Sequence, residues 1–244
     1  MKLLEVVSIS KKFGNLAALT DVSIHVDANE IVGLIGPNGS GKSTLLHSIC
    51  GRTIANSGSV LLNGKELVST NPMVRAKSGM AIKFQLARIY IEKTVRENLM
   101  ISLQSKDGMW SLIRNGTSKK FGPRIEELIV EFQLVDYADT QAKFLSHGQQ
   151  QWLEIAMAMA SSPSILLLDE PTAGMSPKER ADTAKLIKSA SLKCGVLIVE
   201  HDLDFIKDLC DRITVLHHGS VVASGTPQEI ENDPKVKEVY LTRV

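Results

Sequence analysis

Residues 31–51 read IVGLIGPNGSGKSTLLHSICG, and within them Gly36-Pro37-Asn38-Gly39-Ser40-Gly41-Lys42-Ser43 satisfies the spacing G-x-x-x-x-G-K-S. The motif lies between a predicted strand and a predicted helix, which is the context it requires. The residue types follow from the task of holding a polyphosphate. Glycines let the backbone take positive φ and bring unshielded N–H groups against phosphate oxygens. The helix that follows points its positive end at the same anion. Lys42 can reach the β- and γ-phosphates of such a ligand, and the Ser43 hydroxyl can bind Mg²⁺. A glycine-rich turn beside a solvated lysine would need neither the strand before nor the helix after.

Around this loop the chain alternates between two textures. LLEVVSI, VSIHV and IVGLIG are short β-branched runs within residues 2–35, broken by KKFGN and DANE, and GSVLLNGKEL is a further strand with a Gly-containing turn. Over residues 86–160 helical spacing takes over, at VRENLMISL, RIEELIVEF and LSHGQQQWLEIAMAMA. The polar, Gly-punctuated stretch 104–122 reads as a surface excursion. SILLLDE and GVLIVEH are continuous apolar runs, as expected of strands buried on both faces. Between them Ser176, Pro177 and Glu179 mark a helix start with a capping box. RITVLHHGSVVASG reads as a two-strand ribbon turning at His218-Gly219-Ser220, with His217 and His218 as solvated turn residues. The outline is an α/β core interrupted by a helical insert.

Charge and cysteines narrow the class. Lys plus Arg is 28 against 27 for Asp plus Glu, a balance that disfavours a nucleic-acid binder led by bulk electrostatics. Cys50, Cys194 and Cys210 are far apart, odd in number and without CxxC spacing, so a reducing cytosol is expected. No apolar stretch approaches the roughly 20 residues that span a bilayer, and the N-terminus has no signal-peptide core.

The run ILLLDE ends in Asp169-Glu170. Carboxylates at the C-terminal end of a parallel strand face the crevice where ligands bind. There Asp169 would hold Mg²⁺, and Glu170 would orient and deprotonate an attacking water. At residue 145 the helix LSHGQQQWLEIAMAMA opens on Ser146 and Gln149, spaced for a capping box, with Trp152, Ile155, Ala156 and Met159 on one buried face. Gly148 costs up to about 1 kcal/mol of helix propensity, and in return it offers bare backbone to an anion.

With these pieces in place, the sequence resembles the ATP-binding subunit of an ABC transporter over essentially its whole length. GPNGSGKST, which adds Thr44 to the loop, is similar to the family's Walker A, ILLLDEP to its Walker B, and LSHGQ to its signature. The resemblance implies a P-loop NTPase core of mainly parallel sheet with flanking helices, an N-terminal antiparallel β subdomain and an α-helical subdomain insert. It implies one ATP-binding domain over 1–244, with the insert at about 86–160. It further implies ATP and Mg²⁺ as ligands and ATP hydrolysis coupled to transport.

Residue roles carry over one by one. Phe13 sits where the family stacks an aromatic on adenine. Gln85 matches the glutamine that senses Mg²⁺ and the attacking water and couples to the permease, and His201 matches the histidine that contacts the γ-phosphate. Ser146, His147, Gly148 and Gln149 are expected to face the γ-phosphate held by the opposing subunit. Two positions depart from the pattern: His147 replaces the commoner glycine, and Ser176 stands where many members carry aspartate.

The wording of LSHGQQQWLEIAMAMA and DEPTAGMSPKE is nearest to importers of branched-chain amino acids and urea, the urea ATPase above all. That group implies a second ATPase subunit, in a heterodimer more often than a homodimer. It implies two transmembrane permeases and, indirectly, a secreted substrate-binding protein, with this chain cytoplasmic on the inner face of the membrane. No nucleic-acid partner is expected. The alternatives are an exporter ATPase, a non-transport ABC ATPase and a kinase or regulatory nucleotide-binding module. The non-transport forms carry two cassettes or a long coiled coil, neither of which is seen here, and the signature argues against the last.

Overall fold

A computed structural model of the protein describes residues 2–68, 71–83, 89–104 and 117–241. The chain divides into two compact units, one of residues 1–82, 164–170 and 191–244, the other of residues 83–163 and 171–190.

The first unit holds two sheets. β1 (Lys2–Phe13) and β2 (Leu16–Asp27) pair antiparallel, and β1 also pairs with β4 (Ser57–Leu62). With β5 (Lys65–Glu66) they form a sheet of order β2-β1-β4-β5. The break expected at KKFGN is narrower than the sequence suggested. Lys11, Lys12 and Phe13 pair with Leu19, Ala17 and Leu16, so Gly14 and Asn15 alone make the turn. Asn63 and Gly64 close the β4–β5 hairpin with φ of 52° and 71°, the positive values a tight hairpin turn needs.

The second sheet runs β10-β9-β3-β8-β7-β6, with β3 (Ile31–Ile35), β6 (Met80–Lys83), β7 (Ile165–Asp169), β8 (Gly195–Val199), β9 (Arg212–His217) and β10 (Ser220–Gly225). β9, β3, β8 and β7 are parallel, and β10 turns back antiparallel on β9. Every residue of β3, β7 and β8 is buried, which is why these strands read as unbroken apolar runs. The ribbon turn is His218–Gly219, one residue shorter than expected, because Ser220 already pairs with His217.

Helix α1 (Lys42–Ile49) leads away from β3. Its C-terminal carbonyls are capped from α2 (Pro72–Lys77), where buried Arg75 donates to Ser48 O at 2.9 Å and Ile49 O at 2.5 Å, and to Leu67 O at 3.1 Å. A guanidinium at a helix C-terminus satisfies orphan carbonyls and complements the helix dipole.

The second unit is helical: α3 (Val95–Gln104), α4 (Thr117–Glu131), α5 (His147–Met159) and α6 (Pro177–Ser191, its last residue in the first unit). Leu99, Ile125, Leu128, Phe132 and Leu153 are fully or almost fully buried. Asn98 fixes the approach to α3, accepting from Tyr90 N at 2.7 Å and donating to Tyr90 O and Thr94 O. The surface excursion expected over 104–122 is partly helix. Gly122 and Pro123 lie within α4 rather than ending it: glycine costs a helix only about 1 kcal/mol, and the larger cost of proline, about 3 kcal/mol, is offset by the burial of Ile125, Leu128 and Ile129 on the same helix. Residues 105–116 lie outside the described residues. The first unit closes with α7 (Leu203–Leu209), α8 (Pro227–Asn232) and α9 (Pro234–Leu241). Among the described residues no helix is long and apolar enough to cross a membrane.

Candidate nucleotide site

Strand register gathers the site. Leu34 pairs with Val199, and Val199 pairs with Asp169, so the parallel strands β3, β8 and β7 end on one line. The residues just past that line are Gly36, Glu200-His201 and Glu170. They emerge together at the carboxyl edge of the sheet, where open α/β sheets bind ligands.

The loop after β3 takes positive φ at Gly36 (151°), Gly39 (79°) and Gly41 (105°). A side chain at Gly36 would collide with the Leu216 carbonyl, and one at Gly41 would come within 2.6 Å of the Ala18 carbonyl. The ribbon turn braces the loop, since Gly219 N donates to Ser40 O at 2.9 Å. Lys42 is buried, and its Nζ donates to Gly36 O at 2.8 Å and Pro37 O at 3.0 Å, which arches the loop around the ammonium.

A groove of about 500 Å³ runs over this loop, lined by Phe13, Leu16 and Ala18, by Asn38, Gly39 and Gly41 to Thr44, and by Glu170 and His218. That volume is within the range of small-ligand sites. A second cavity of about 620 Å³ touches the loop only at Pro37, with His217, Lys235 and Val239 around it. It has neither the glycines nor Lys42, so the smaller groove is the candidate nucleotide site. Phe13 is 51% exposed, and the Lys11 ammonium lies 4.9 Å from its ring centroid.

At the carboxylate end Asp169 is buried. Glu170 takes φ of 43°, unusual for a residue with a side chain, and its N–H donates to Val199 O at 2.9 Å. Residues held in sparsely populated conformations cluster at functional sites. His201 Nδ1 lies 3.6 Å from Glu170 Oε1 and 3.7 Å from Glu200 Oε2. The imidazole thus stands between two carboxylates, one of them, Glu200, 1% exposed.

The helix start expected at residue 145 is present in the second unit. Ser146 caps α5: its Oγ accepts from Gln149 N at 3.3 Å, and Ser146 N donates to Gln149 Oε1 at 2.8 Å. His147 Nε2 lies 3.0 Å from Ala173 O. A carbonyl can only accept, so Nε2 carries the proton. Gly148, read from the sequence as bare backbone, is buried, because the Glu179 carboxylate lies against it. Trp152, Ile155, Ala156 and Met159 are buried as expected, and Trp152 Nε1 donates to Thr183 Oγ1 of α6 at 2.8 Å.

Phe13, Asn38, Gly39, Gly41, Lys42, Ser43, Thr44 and Glu170 therefore meet at one groove, which Gly36, Pro37 and Ser40 do not line, and His201 reaches Glu170. Ser146, His147, Gly148 and Gln149 belong to the other unit. Gln85 lies outside the described residues. Sequence reasoning passed over three residues: Glu200, whose signal was a carboxylate beside His201 at a strand end; His218, taken for a solvated turn; and Glu179, taken only for a cap.

A family model described as an ABC transporter matches residues 19–173. The chain belongs to the ABC transporter family. It is an ATP-binding subunit of that family, an ATPase with the family's α/β fold. A second model, described as a branched-chain amino acid ATP-binding cassette transporter, matches residues 220–241. The high-affinity branched-chain amino acid transport ATP-binding protein LivG of Salmonella typhimurium is 36% identical, covering 98% of this chain and 97% of its own. The lipopolysaccharide export system ATP-binding protein LptB of Haemophilus influenzae is 35% identical, covering 99% and 98%. The crystal structure of a nucleotide-free ATP-binding cassette from an ABC transporter superposes with a TM-score of 0.86 at 31% identity, covering 98% of this chain and 99% of that one.

Proposed function

We propose that this ABC ATPase powers uptake of a small polar solute, a branched-chain amino acid or urea, through two separate permeases. It does so paired with a second ATPase subunit, on the inner face of the membrane, with a secreted binding protein delivering the solute. The observation that carries the importer reading is the match of residues 220–241 to branched-chain amino acid cassettes. LivG-type relatives support it along the whole chain. Urea rests on the wording of LSHGQQQWLEI alone. Export is a second reading, favoured by the similarity to LptB.

The chemistry follows from the groove. Adenine stacks on Phe13, whose ring has the Lys11 ammonium 4.9 Å from its centroid. The triphosphate lies against the N–H groups of the loop and the N-terminus of α1. Lys42 exchanges the carbonyls of Gly36 and Pro37 for β- and γ-phosphate oxygens. Ser43 and Asp169 offer a hydroxyl and a carboxylate, hard oxygen donors that fit Mg²⁺, which takes one or two such protein ligands beside substrate phosphates. Mg²⁺ bound there would neutralise charge on the β- and γ-oxygens.

Glu170 accepts the proton of the attacking water. As the water oxygen bonds the γ-phosphorus, the bond to the β–γ bridging oxygen breaks, and ADP leaves with that electron pair. His201, held between Glu170 and Glu200, contacts the γ-phosphate. Ser146, His147, Gly148 and Gln149 of the opposing subunit close over it, so one ATP is sandwiched between two chains.

Proteoliposomes carrying the cognate permeases and both ATPases test the reading. ATP on the ATPase side should draw labelled leucine or urea inward when the binding protein is present. Outward movement of a lipid would favour export, and no nucleotide-dependent movement of either kind would contradict transport by this pair.

A further inference from the structure

The N-terminus of α5 already has an anion on it. Glu179, in the first turn of α6, puts Oε1 3.5 Å from Ser146 Oγ. The same carboxylate packs directly against the backbone of Gly148. A Cβ at Gly148 would come within 2.5 Å of Oε1, so glycine is what admits the carboxylate this closely. The other oxygen, Oε2, accepts from Ser176 N at 2.9 Å and from Ser176 Oγ at 2.8 Å. One carboxylate therefore bridges two helix starts. All these residues belong to one compact unit.

The two departures noted in the sequence join this arrangement. Ser176 can donate its hydroxyl to Glu179, whereas an aspartate there would be acceptor-only and would add a second negative charge. His147 ties the same helix start to Ala173 O, and its ring lies 3.4 Å from where a Cβ on Gly174 would sit. The segment 173–176 and the start of α5 are thus held together from both sides of Gly148. Backbone N–H and hydroxyl donors, first among them Ser176 N, hold the Glu179 carboxyl below the ordinary glutamate range, so it stays ionised at neutral pH.

We infer that Glu179 is the resident anion of the signature helix: within its own chain it takes the Ser146 hydroxyl and covers the Gly148 backbone that the γ-phosphate on the opposing subunit would use, and the sandwich closes only as this carboxylate swings aside on its Ser176 anchor. The inference rests on the sandwich reading above. Two anions cannot share one helix N-terminus without mutual repulsion. Glu179 is in these terms a positioning residue that sets how much ATP closure needs.

The test uses chains slowed by Glu170→Gln, alone and with the partner ATPase, and follows ATP-driven association by light scattering. Glu179→Gln keeps the capping box, which accepts Gln as well as Glu, and removes only the charge. It should lower the ATP concentration for half-maximal association by about two- to fivefold, the effect of one charge at a helix N-terminus. Glu179→Ala loses the cap as well and should melt earlier, yet still associate at lower ATP. A merely structural role would weaken association together with stability. If the slowed chains associate and Glu179→Gln leaves the half-saturation unchanged or raises it, the resident-anion role is wrong while the sandwich stands. If they never associate with ATP, alone or with the partner, the sandwich reading fails and takes this inference with it.

Discussion

At the scale of single residues, the site places charge and ring surface where a nucleotide needs them. Lys42 is a buried ammonium arched over by its own loop. Lys42→Ala should raise the dissociation constant for ATP at least tenfold in calorimetric titration, because a partly desolvated polyphosphate loses its nearest cation. Phe13 presents a half-exposed ring at the end of β1, backed by Lys11. Phe13→Ala should weaken ATP by about 1–3 kcal/mol, the range for an aromatic that stacks on a base. Inorganic triphosphate should bind the variant as it binds the parent, and equal losses for both ligands would show that the ring does not meet the base. His147 is held by the Ala173 carbonyl, in a unit apart from the loop. His147→Gly should therefore keep the fold and leave ATP affinity of the isolated chain within about twofold, since an exposed hydrogen bond and one helix position are all it gives up.

At the scale of elements, helix ends carry much of the organisation. Arg75 closes the C-terminus of α1, the helix whose other end carries Lys42 and Ser43 of the glycine loop. Arg75→Met should cost about 2–3 kcal/mol in denaturant unfolding, because buried carbonyls lose charge-assisted bonds. Three capping boxes place glutamates Glu97, Glu179 and Glu229 over helix starts, and their carboxyls are held below the ordinary value, first by the backbone N–H of Thr94, Ser176 and Thr226. A carboxyl depressed in the folded state adds stability above its unfolded pKa and loses it as pH falls through the folded one. Stability should therefore hold steady near neutrality and decline in acid, and replacing all three with Gln should flatten that decline in melts at stepped pH.

These caps also show what the sequence made legible. Ser146 and Gln149 carry a local spacing rule, as do Ser176 and Glu179, and the buried runs of β3, β7 and β8 carry a compositional one; all appear where the pattern put them. The extension of β1 through Phe13 and the helix through Gly122 and Pro123 were hidden, because pairing and packing outweighed local breakers. Glu179 against Gly148 and Arg75 on α1 were hidden for another reason: each joins segments about thirty residues apart, and no local spacing rule reaches that far.

At the scale of the whole molecule, one chain carries the glycine loop and Glu170 in one unit and the LSHGQ helix start in the other. In the proposed cycle each ATP is gripped by the loop of one chain and the signature helix of its partner. Hydrolysis removes the γ-phosphate, the chains part, and the permeases reset. Glu170→Gln tests this most directly, because it keeps the shape and most hydrogen bonds of Glu170 but cannot take the proton. A general base contributes about 10²–10⁴-fold, so turnover should fall by that order while ATP still binds. Size-exclusion chromatography of the variant, with its partner ATPase present, should show a stable pair in ATP and separate chains in ADP. Hydrolysis at the parent rate, or elution as separate chains in saturating ATP, would contradict the account.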